Sequence, residues 1–212
     1  MSKPDKLHYV RLPKALGGRA EMTRLAYVLA GKPYVDVHWS FSEVSEALEG
    51  GKNPFNQLPI VETADGKFLY QTLAIMQHAG QGTPVWPSDP EALNRALAVG
   101  MGGYDLYQWF GSFAADDEVA KKKFETRRAP QFFKGLNAIY EGRKFAAGDE
   151  PSFADCMVRE AVYWCVRRNE ACKELYDGTP HLRAFVERFD ALPAVKEFLA
   201  KQAAARAVDD SL

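Results

Sequence analysis

Hydrophobic and polar residues follow two different periods along this chain. Within residues 7–9 and 35–39, apolar side chains alternate with more polar ones, which is the period of half-buried strands. Between these segments, residues 22–29 place apolar side chains at the spacing of an amphipathic helix, which Gly31 would end. A strand, a helix and a strand in about thirty residues predict a βαβ unit whose strands are parallel.

A second pattern predicts an antiparallel hairpin. The apolar runs 58–63 and 67–70 flank an Asp-Gly pair at 65–66, which is typical of a tight turn. Thr72 then stands where its side chain could cap a following helix. The stretch 40–56 is polar, and we expect it to be irregular. The first part of the chain is therefore predicted to form a small mixed sheet with helices on its faces.

Beyond residue 88 the regular patterns are all helical. Asp89-Pro90 and Thr179-Pro180 each place a capping side chain before a proline at the first helical position. Ser152 and Asp155 have the spacing of a capping box. Proline and glycine interrupt the pattern between residues 80 and 87, as in a linker. The predicted organisation is a domain over 1–80, a linker over 81–88 and an all-helical domain over 89–212.

Composition and charge exclude several classes of function. The chain has 212 residues, 47% of them hydrophobic, and a formal net charge of −1, which gives no bulk field to hold a nucleic acid. The amino-terminal residues lack the apolar core of a signal peptide, and no apolar run is long enough to span a bilayer, so we expect a cytoplasmic protein. The three cysteines, Cys156, Cys165 and Cys172, imply neither a disulfide framework nor a metal site.

Several motifs, in this order along the chain, resemble those of the cytosolic glutathione transferases. The motifs are Lys6-Leu7-His8-Tyr9, Gly18-Arg19-Ala20-Glu21, Gln57-Leu58-Pro59-Ile60-Val61, Gln71-Thr72-Leu73-Ala74-Ile75, Gly148 to Asp155, and Leu192-Pro193-Ala194-Val195. Because a tyrosine lies in the first strand, the chain is most similar to the sigma group and its alpha, mu and pi relatives. The resemblance implies an α/β thioredoxin-like domain (βαβ-ββα) followed by an all-α domain, the glutathione transferase fold.

The resemblance also implies that Tyr9 stabilises the thiolate of bound glutathione. A cysteine-like thiol has a pKa of about 8.5, and lowering it by about two units requires roughly 2.7 kcal/mol. A tyrosine hydroxyl suits this role because it stays protonated at neutral pH and can donate to the anion. The alternative is that Tyr9 is an ordinary strand residue whose ring packs and whose hydroxyl reaches water.

Other positions are implied to bind the rest of glutathione. Gln57, Leu58 and Pro59 match the segment that holds the cysteinyl part, where the family has a cis proline. The γ-glutamyl end would meet Gln71 and Thr72. The Trp and Lys that hold the glycyl carboxylate in the family have no clean match, and Trp39 and Lys52 are the nearest candidates.

Further residues are implied to bind the second substrate and to make the dimer contact. A longer segment, 11–17, follows Tyr9 and could cover the substrate pocket. Residues spaced to share one helix face are candidates for that pocket, although such a face is more often core or dimer interface. Met101 stands where the family has an acidic residue that reaches across the dimer, and Asp105 could substitute for it. The candidates for the hydrophobic-substrate pocket are Leu12, Tyr104, Tyr107 and Gln108.

We therefore expect a cytoplasmic, homodimeric glutathione transferase that conjugates glutathione to small electrophilic apolar compounds in detoxification, with no metal. Two alternatives are open. One is a low-activity binding or structural protein of the crystallin or ligand-carrier type, and the other is a glutathione-dependent isomerase such as a prostaglandin D synthase. A glutaredoxin-type oxidoreductase would need a nucleophilic cysteine near the first helix, and the sequence has none there.

Overall fold

The computed structural model describes residues 3–11, 17–111 and 117–209, and the chain divides into two compact units. The first unit contains residues 1–81 together with 193–212, and the second contains residues 82–192. The last helix, which the sequence analysis counted with the helical domain, is grouped here with the first unit.

The first unit contains a four-stranded sheet of order β2-β1-β3-β4. Strands β1 and β2 are parallel, whereas β3 is antiparallel to both β1 and β4, so the predicted βαβ unit and hairpin are confirmed. Gly66 in the hairpin turn has φ +83°, a conformation that glycine adopts without steric cost. The elements are β1 (Asp5–Val10), α1 (Gly18–Leu29), β2 (Tyr34–Trp39), α2 (Phe41–Glu49), β3 (Ile60–Glu62), β4 (Phe68–Tyr70), α3 (Thr72–Gly80) and α10 (Pro193–Asp209).

Helix α2 corrects the prediction that residues 40–56 are irregular. A capping box starts the helix: the Ser40 hydroxyl accepts from the Glu43 N–H at 3.3 Å, and the Glu43 carboxylate accepts from the Ser40 N–H at 2.7 Å. The prediction was wrong because it followed the polar composition of this stretch, although Val44 and Leu48 have helical spacing and pack against the cluster that contains Ala47.

In the second unit, all the regular elements among the described residues are helices, as predicted. A π-helical segment, Phe124–Arg128, connects α5 to α6. Gly103 lies so close to α7 that a Cβ added there would come within 3.0 Å of the Val158 Cα, so this glycine permits the close approach of α4 to α7. The helices are α4 (Pro90–Gly111), α5 (Glu118–Lys123), α6 (Ala129–Ile139), α7 (Phe153–Val166), α8 (Glu170–Asp177) and α9 (Pro180–Asp190).

Two of the three helix caps predicted beyond residue 88 form as expected. Asp89 accepts from the Ala92 N–H at 2.8 Å, and Asp155 accepts from the Ser152 N–H at 2.8 Å in a complete capping box. Burial raises the pKa of Asp155 to about 6, although its hydrogen bonds act in the opposite direction. Helix α9 begins at Pro180 as predicted, but the Thr179 hydroxyl donates to the Tyr176 carbonyl and does not cap the helix.

Within the ranges that the structure describes, no helix is both long and apolar enough to cross a membrane.

Candidate active site

Tyr9 is the last residue but one of β1, and its half-buried side chain reaches the beginning of α1. Its hydroxyl oxygen accepts a hydrogen bond from the backbone N–H of Arg19 at 3.2 Å. The first N–H groups of a helix have no partner within the helix and carry its positive dipole end. Tyr9 is thus positioned where the field of a helix N-terminus favours negative charge.

Gly18 makes this contact possible. It has φ +57°, and a Cβ added to it would lie 2.6 Å from the Tyr9 hydroxyl oxygen. Any other residue would therefore meet both a backbone penalty and a collision with Tyr9. The motif that resembled the family at Gly18-Arg19 places this glycine directly against the predicted catalytic hydroxyl.

A buried arginine, which the sequence analysis did not identify, holds the start of α1. The Arg24 guanidinium donates to Asp36 at 2.7 and 3.1 Å, to Glu21 at 3.1 Å and to the Gly17 carbonyl at 3.2 Å. Burial alone would raise the pKa of Asp36. A hydrogen bond from His38 lowers it, and so do the charge and the hydrogen bonds of Arg24. Arg24 therefore fixes the turn that brings the α1 N-terminus to Tyr9.

The sheet register aligns three predicted site residues at one end of the sheet. His8 pairs with Ile60, and Ile60 pairs with Tyr70. One position further along the same antiparallel register come Tyr9, Pro59 and Gln71. Trp39 lies at the same end, because it pairs with Val10 in the parallel ladder. The Leu58–Pro59 peptide bond is cis, as the resemblance implied.

The loop before Pro59 is organised by Asn53, which the sequence analysis missed. Asn53 is 1% exposed; its side-chain amide donates to the Gln57 carbonyl at 2.7 Å and accepts from the Phe55 N–H at 2.9 Å. A buried asparagine with both ends of its amide bonded to backbone is a local signal for a fixed loop. Gln57 is exposed and Leu58 is half-buried at the end of this loop.

Gln71 and Thr72 begin α3, but their positions differ from the prediction. Gln71 is the N-cap residue, with φ +71°, and Thr72 is the first helical residue. The expectation that Thr72 caps this helix is therefore wrong; its side chain is buried and Gln71 is exposed. A non-glycine residue with positive φ costs about 1–3 kcal/mol and is most often found at functional sites.

Trp39 and Lys52 are brought together although they are distant in sequence. The Lys52 ammonium lies 5.4 Å from the ring centroids of both Trp39 and Phe68. Trp39 is only 9% exposed and packs with Ala47 and Ile60. A cation over aromatic faces at this distance is held by a cation–π interaction and can still meet an anion from the solvent side.

The candidates in α4 lie in different environments. Tyr107 is 7% exposed and its ring lies 5.2 Å from that of Trp164, so it belongs to the packed interior. Tyr104 and Gln108 are half-buried, and Asp105 is exposed. Met101 is 38% exposed. Leu12, the remaining substrate-pocket candidate, lies outside the described residues.

Cysteine and metal chemistry receive no support from the described residues. Burial raises the pKa of the Cys156 thiol, and burial with the neighbouring Cys172 thiol raises that of Cys165. Such thiols are poor nucleophiles. No group of three or more His, Cys, Asp or Glu side chains that could hold a metal ion is found in the described ranges.

Comparison with known proteins adds an independent line of evidence. A family model for the C-terminal domain of glutathione S-transferases matches residues 104–202. The chain is 29% identical over 204 residues to glutathione S-transferase 3 of Gallus gallus, which covers 91% of this chain and 86% of that protein. It is 28% identical over 200 residues to the hematopoietic prostaglandin D synthase of Gallus gallus, with 88% and 92% covered.

A solved structure shows the same fold. It is the monomeric Na-GST-3, a glutathione S-transferase from Necator americanus, with a TM-score of 0.76 and 24% identity. The match covers 94% of this chain and 97% of that one, so the likeness extends over the sheet and the helical region together.

Proposed function

We propose, from the similarity to glutathione S-transferases in the family model and in the curated relative, that the chain is a cytosolic glutathione transferase. In this proposal it binds glutathione, stabilises the thiolate beside Tyr9 and directs it onto electrophilic apolar compounds. The observation that carries this proposal is the contact between the Tyr9 hydroxyl and the first turn of α1. The same arrangement supplies a hydroxyl donor and a helix N-terminus at one point.

The proposed role of Tyr9 is to lower the pKa of the bound thiol. An O–H donor to a charged acceptor forms one of the stronger hydrogen bonds in proteins. The Arg19 N–H polarises the same hydroxyl, and hydrogen bonds in a chain strengthen one another. Together with the helix dipole, these contacts can supply the roughly 2.7 kcal/mol that a two-unit lowering requires. The protein contributes orientation and anion stabilisation, and the thiolate makes the new bond.

The remaining contacts proposed for glutathione follow the end of the sheet. The backbone at Leu58, presented by the Asn53-ordered loop, pairs with the cysteinyl part as an added strand would. Gln71 and Thr72 hold the γ-glutamyl carboxylate at the N-terminus of α3. Lys52, over the Trp39 ring, meets the glycyl carboxylate. Each of the three charged or polar parts of the tripeptide then has a partner.

A second candidate is a glutathione-dependent isomerase of the prostaglandin D synthase type. The 28% identity to the hematopoietic prostaglandin D synthase of Gallus gallus favours it. Both activities need the same thiolate, so they differ in the second substrate and not in the role of Tyr9. Turnover of an aryl halide without turnover of a prostaglandin endoperoxide would exclude the isomerase. A low-activity binding protein would retain glutathione and turn over neither compound.

We also propose a cytoplasmic homodimer that acts in detoxification. The exposed apolar side chains of Phe55, at 59%, and Met101, at 38%, are candidates for a subunit contact. Three free cysteines are typical of a reducing compartment. Sedimentation at several protein concentrations tests the assembly; because Na-GST-3 is monomeric, a concentration-independent monomer is the competing result.

The decisive experiment is a titration of the thiolate absorbance of bound glutathione. In Tyr9→Phe the apparent thiol pKa should rise by about two units, toward that of free glutathione, and turnover of an aryl halide should fall roughly a hundredfold near neutral pH. The matched control is Tyr176→Phe, which removes a hydroxyl from α8 and should change neither quantity. Equal thiol pKa values in Tyr9→Phe and the unmodified protein would disprove the role of Tyr9.

A further inference from the structure

His8 is a buried polar side chain that the proposed chemistry does not use. It is 6% exposed, and neither ring nitrogen has a hydrogen-bond partner among the described residues. Buried polar atoms in native structures nearly always have a partner, so an exception calls for a functional or structural reason. A neutral imidazole has one N–H donor and one acceptor nitrogen, and here both are left without a bond.

The surroundings of His8 connect it to the glycyl end of the proposed site. Its ring centroid lies 4.5 Å from that of Trp39 with an interplanar angle of 33°. The Lys52 ammonium contacts the same Trp39 ring at 5.4 Å. The Trp39 ring thus contacts both the buried histidine and the cation that would receive a carboxylate.

Three charged groups act on His8, each from a different element. Glu62 on β3 has a carboxylate oxygen 3.6 Å from the His8 Nε2, which is beyond hydrogen-bond length, and this carboxylate also pairs with Lys6 of β1 at 3.3 Å. Lys52 belongs to the loop after α2. Burial lowers the pKa of His8, Glu62 raises it, and the Lys52 and Lys6 charges lower it further. The net result is a neutral ring near pH 7.

An anion at Lys52 would change this balance in a known direction. A carboxylate there offsets the positive field of the ammonium, which is one of the causes that keep His8 neutral. Binding of the anion and binding of a proton to His8 must then favour each other equally, because linkage is reciprocal.

We propose that His8 is a proton-linked positioning residue of the glycyl-carboxylate end: it takes up one proton from solvent when Lys52 holds that carboxylate, and it acts through Trp39 and Lys52 without touching the ligand. This inference rests on the proposed function, which assigns the carboxylate to Lys52.

The sign of the pH effect follows from this coupling. Affinity for a ligand with the glycyl carboxylate should rise as pH falls through the His8 pKa, by about tenfold for each unit by which binding raises that pKa. If His8 had only a structural role, its substitution would change the affinity equally at every pH, and ligand binding would cause no proton uptake.

The test uses S-methylglutathione, which keeps both carboxylates and has no ionisable thiol, so Tyr9 does not contribute to the pH effect. Calorimetry at about pH 6, near the ordinary histidine pKa, in buffers of different ionisation enthalpy measures proton uptake on binding. We expect net uptake with the unmodified protein and with His38→Gln, an exposed histidine of β2, and none with His8→Gln. The C-terminal amide of the same ligand should cause no uptake.

An NMR titration of the unmodified protein covers the case in which His8→Gln does not fold. The His8 ring should titrate at a higher pH with S-methylglutathione bound than without it. If S-methylglutathione binds without His8-dependent proton uptake and without a shift in the His8 titration, the inference is overturned and the proposed function stays intact. If S-methylglutathione does not bind at any pH, the assignment of this site to glutathione and the role of His8 both fail.

Discussion

The two ends of strand β1 place a tyrosine hydroxyl in opposite roles. At the amino end, the hydroxyl of Tyr27 donates to the buried Asp5 carboxylate at 2.9 Å. At the carboxyl end, the hydroxyl of Tyr9 accepts from the Arg19 N–H at 3.2 Å. The first arrangement commits the phenolic hydrogen to a carboxylate of the same chain. In the second, a backbone donor occupies an oxygen lone pair, and our proposal directs the O–H to a bound thiolate.

The groups around the two ends of β1 also differ. Asp5 is 4% exposed and also accepts from Lys32 at 3.1 Å, His78 at 2.9 Å and the Ala64 N–H at 3.2 Å. Tyr9 is half-buried beside a glycine with positive φ. The comparison indicates that one end of β1 is arranged for stability and the other for anion binding.

The largest effect should come from Asp5→Ala. It leaves the buried Tyr27 hydroxyl and the Lys32 and His78 side chains without their common acceptor, and we expect a loss of about 3 kcal/mol in the free energy of unfolding. Denaturant unfolding measures this. Glu91→Ala, which removes an exposed carboxylate, should have little effect. The thiol pKa of bound glutathione should not change; if it does, the two ends are not independent.

The same variant gives a pH test. Burial alone would raise the pKa of Asp5, but hydrogen bonds from His78, Tyr27 and Lys32 lower it below 3.8. A carboxylate with a lowered pKa stabilises the fold above its unfolded pKa, and this contribution disappears as pH falls through the folded value. Below about pH 4 the unmodified protein should therefore lose stability more steeply than Asp5→Ala. Parallel curves would contradict this.

Tyr27→Phe removes one donor to a buried carboxylate and should cost about 1.5–2 kcal/mol of unfolding free energy. Asp5 keeps three other donors, so the loss is smaller than for Asp5→Ala. Glutathione turnover should be unchanged. Tyr9→Phe should give the opposite result, with lost turnover and nearly unchanged stability; the same pattern from both variants would remove the distinction between the two ends of β1.

Gly18→Ala tests the close approach at the carboxyl end. The added Cβ would displace the Tyr9 hydroxyl, so turnover should fall about tenfold and the bound thiol pKa should rise. Gly31→Ala is the matched control, because Gly31 has φ +62° and nothing within 4 Å of an added Cβ. Both variants should lose about 1 kcal/mol of stability, but only Gly18→Ala should affect the thiol.

The smallest effect is expected for Lys52→Gln. Loss of a partly exposed cation should weaken S-methylglutathione binding about threefold to fivefold. The C-terminal amide should bind equally to both proteins, since it lacks the glycyl carboxylate. Lys67→Gln changes a lysine in the exposed hairpin turn and serves as the control. An equal loss of affinity for the acid and the amide would show that Lys52 does not bind the glycyl carboxylate.

Local signals predicted much of this fold because they depend on neighbouring residues. The Asp-Gly turn and the Ser152–Asp155 box both formed as their spacing indicates. The start of α2 carried a similar signal, Ser40 and Glu43, but the polar composition of residues 40–56 led to the prediction of an irregular stretch.

The site could be predicted only in part, because its geometry depends on long-range packing. Arg24 would ordinarily be placed on a solvated face; it is buried because Asp36, twelve residues further on, lies beside it in β2. The proximity of Tyr9 to Gly18 depends on where α1 begins, and the contact between Lys52 and Trp39 depends on how the loop after α2 packs on the sheet.

Grouping α10 with the sheet unit has a consequence for the order of synthesis. Val195, with no exposed surface, and Phe198, at 9%, are buried in a helix that packs on α1. A ribosome completes residues 1–81 long before it reaches Pro193, and the whole second unit emerges in between. The surface of α1 that α10 covers in the folded protein therefore stays exposed until the last helix has been synthesised.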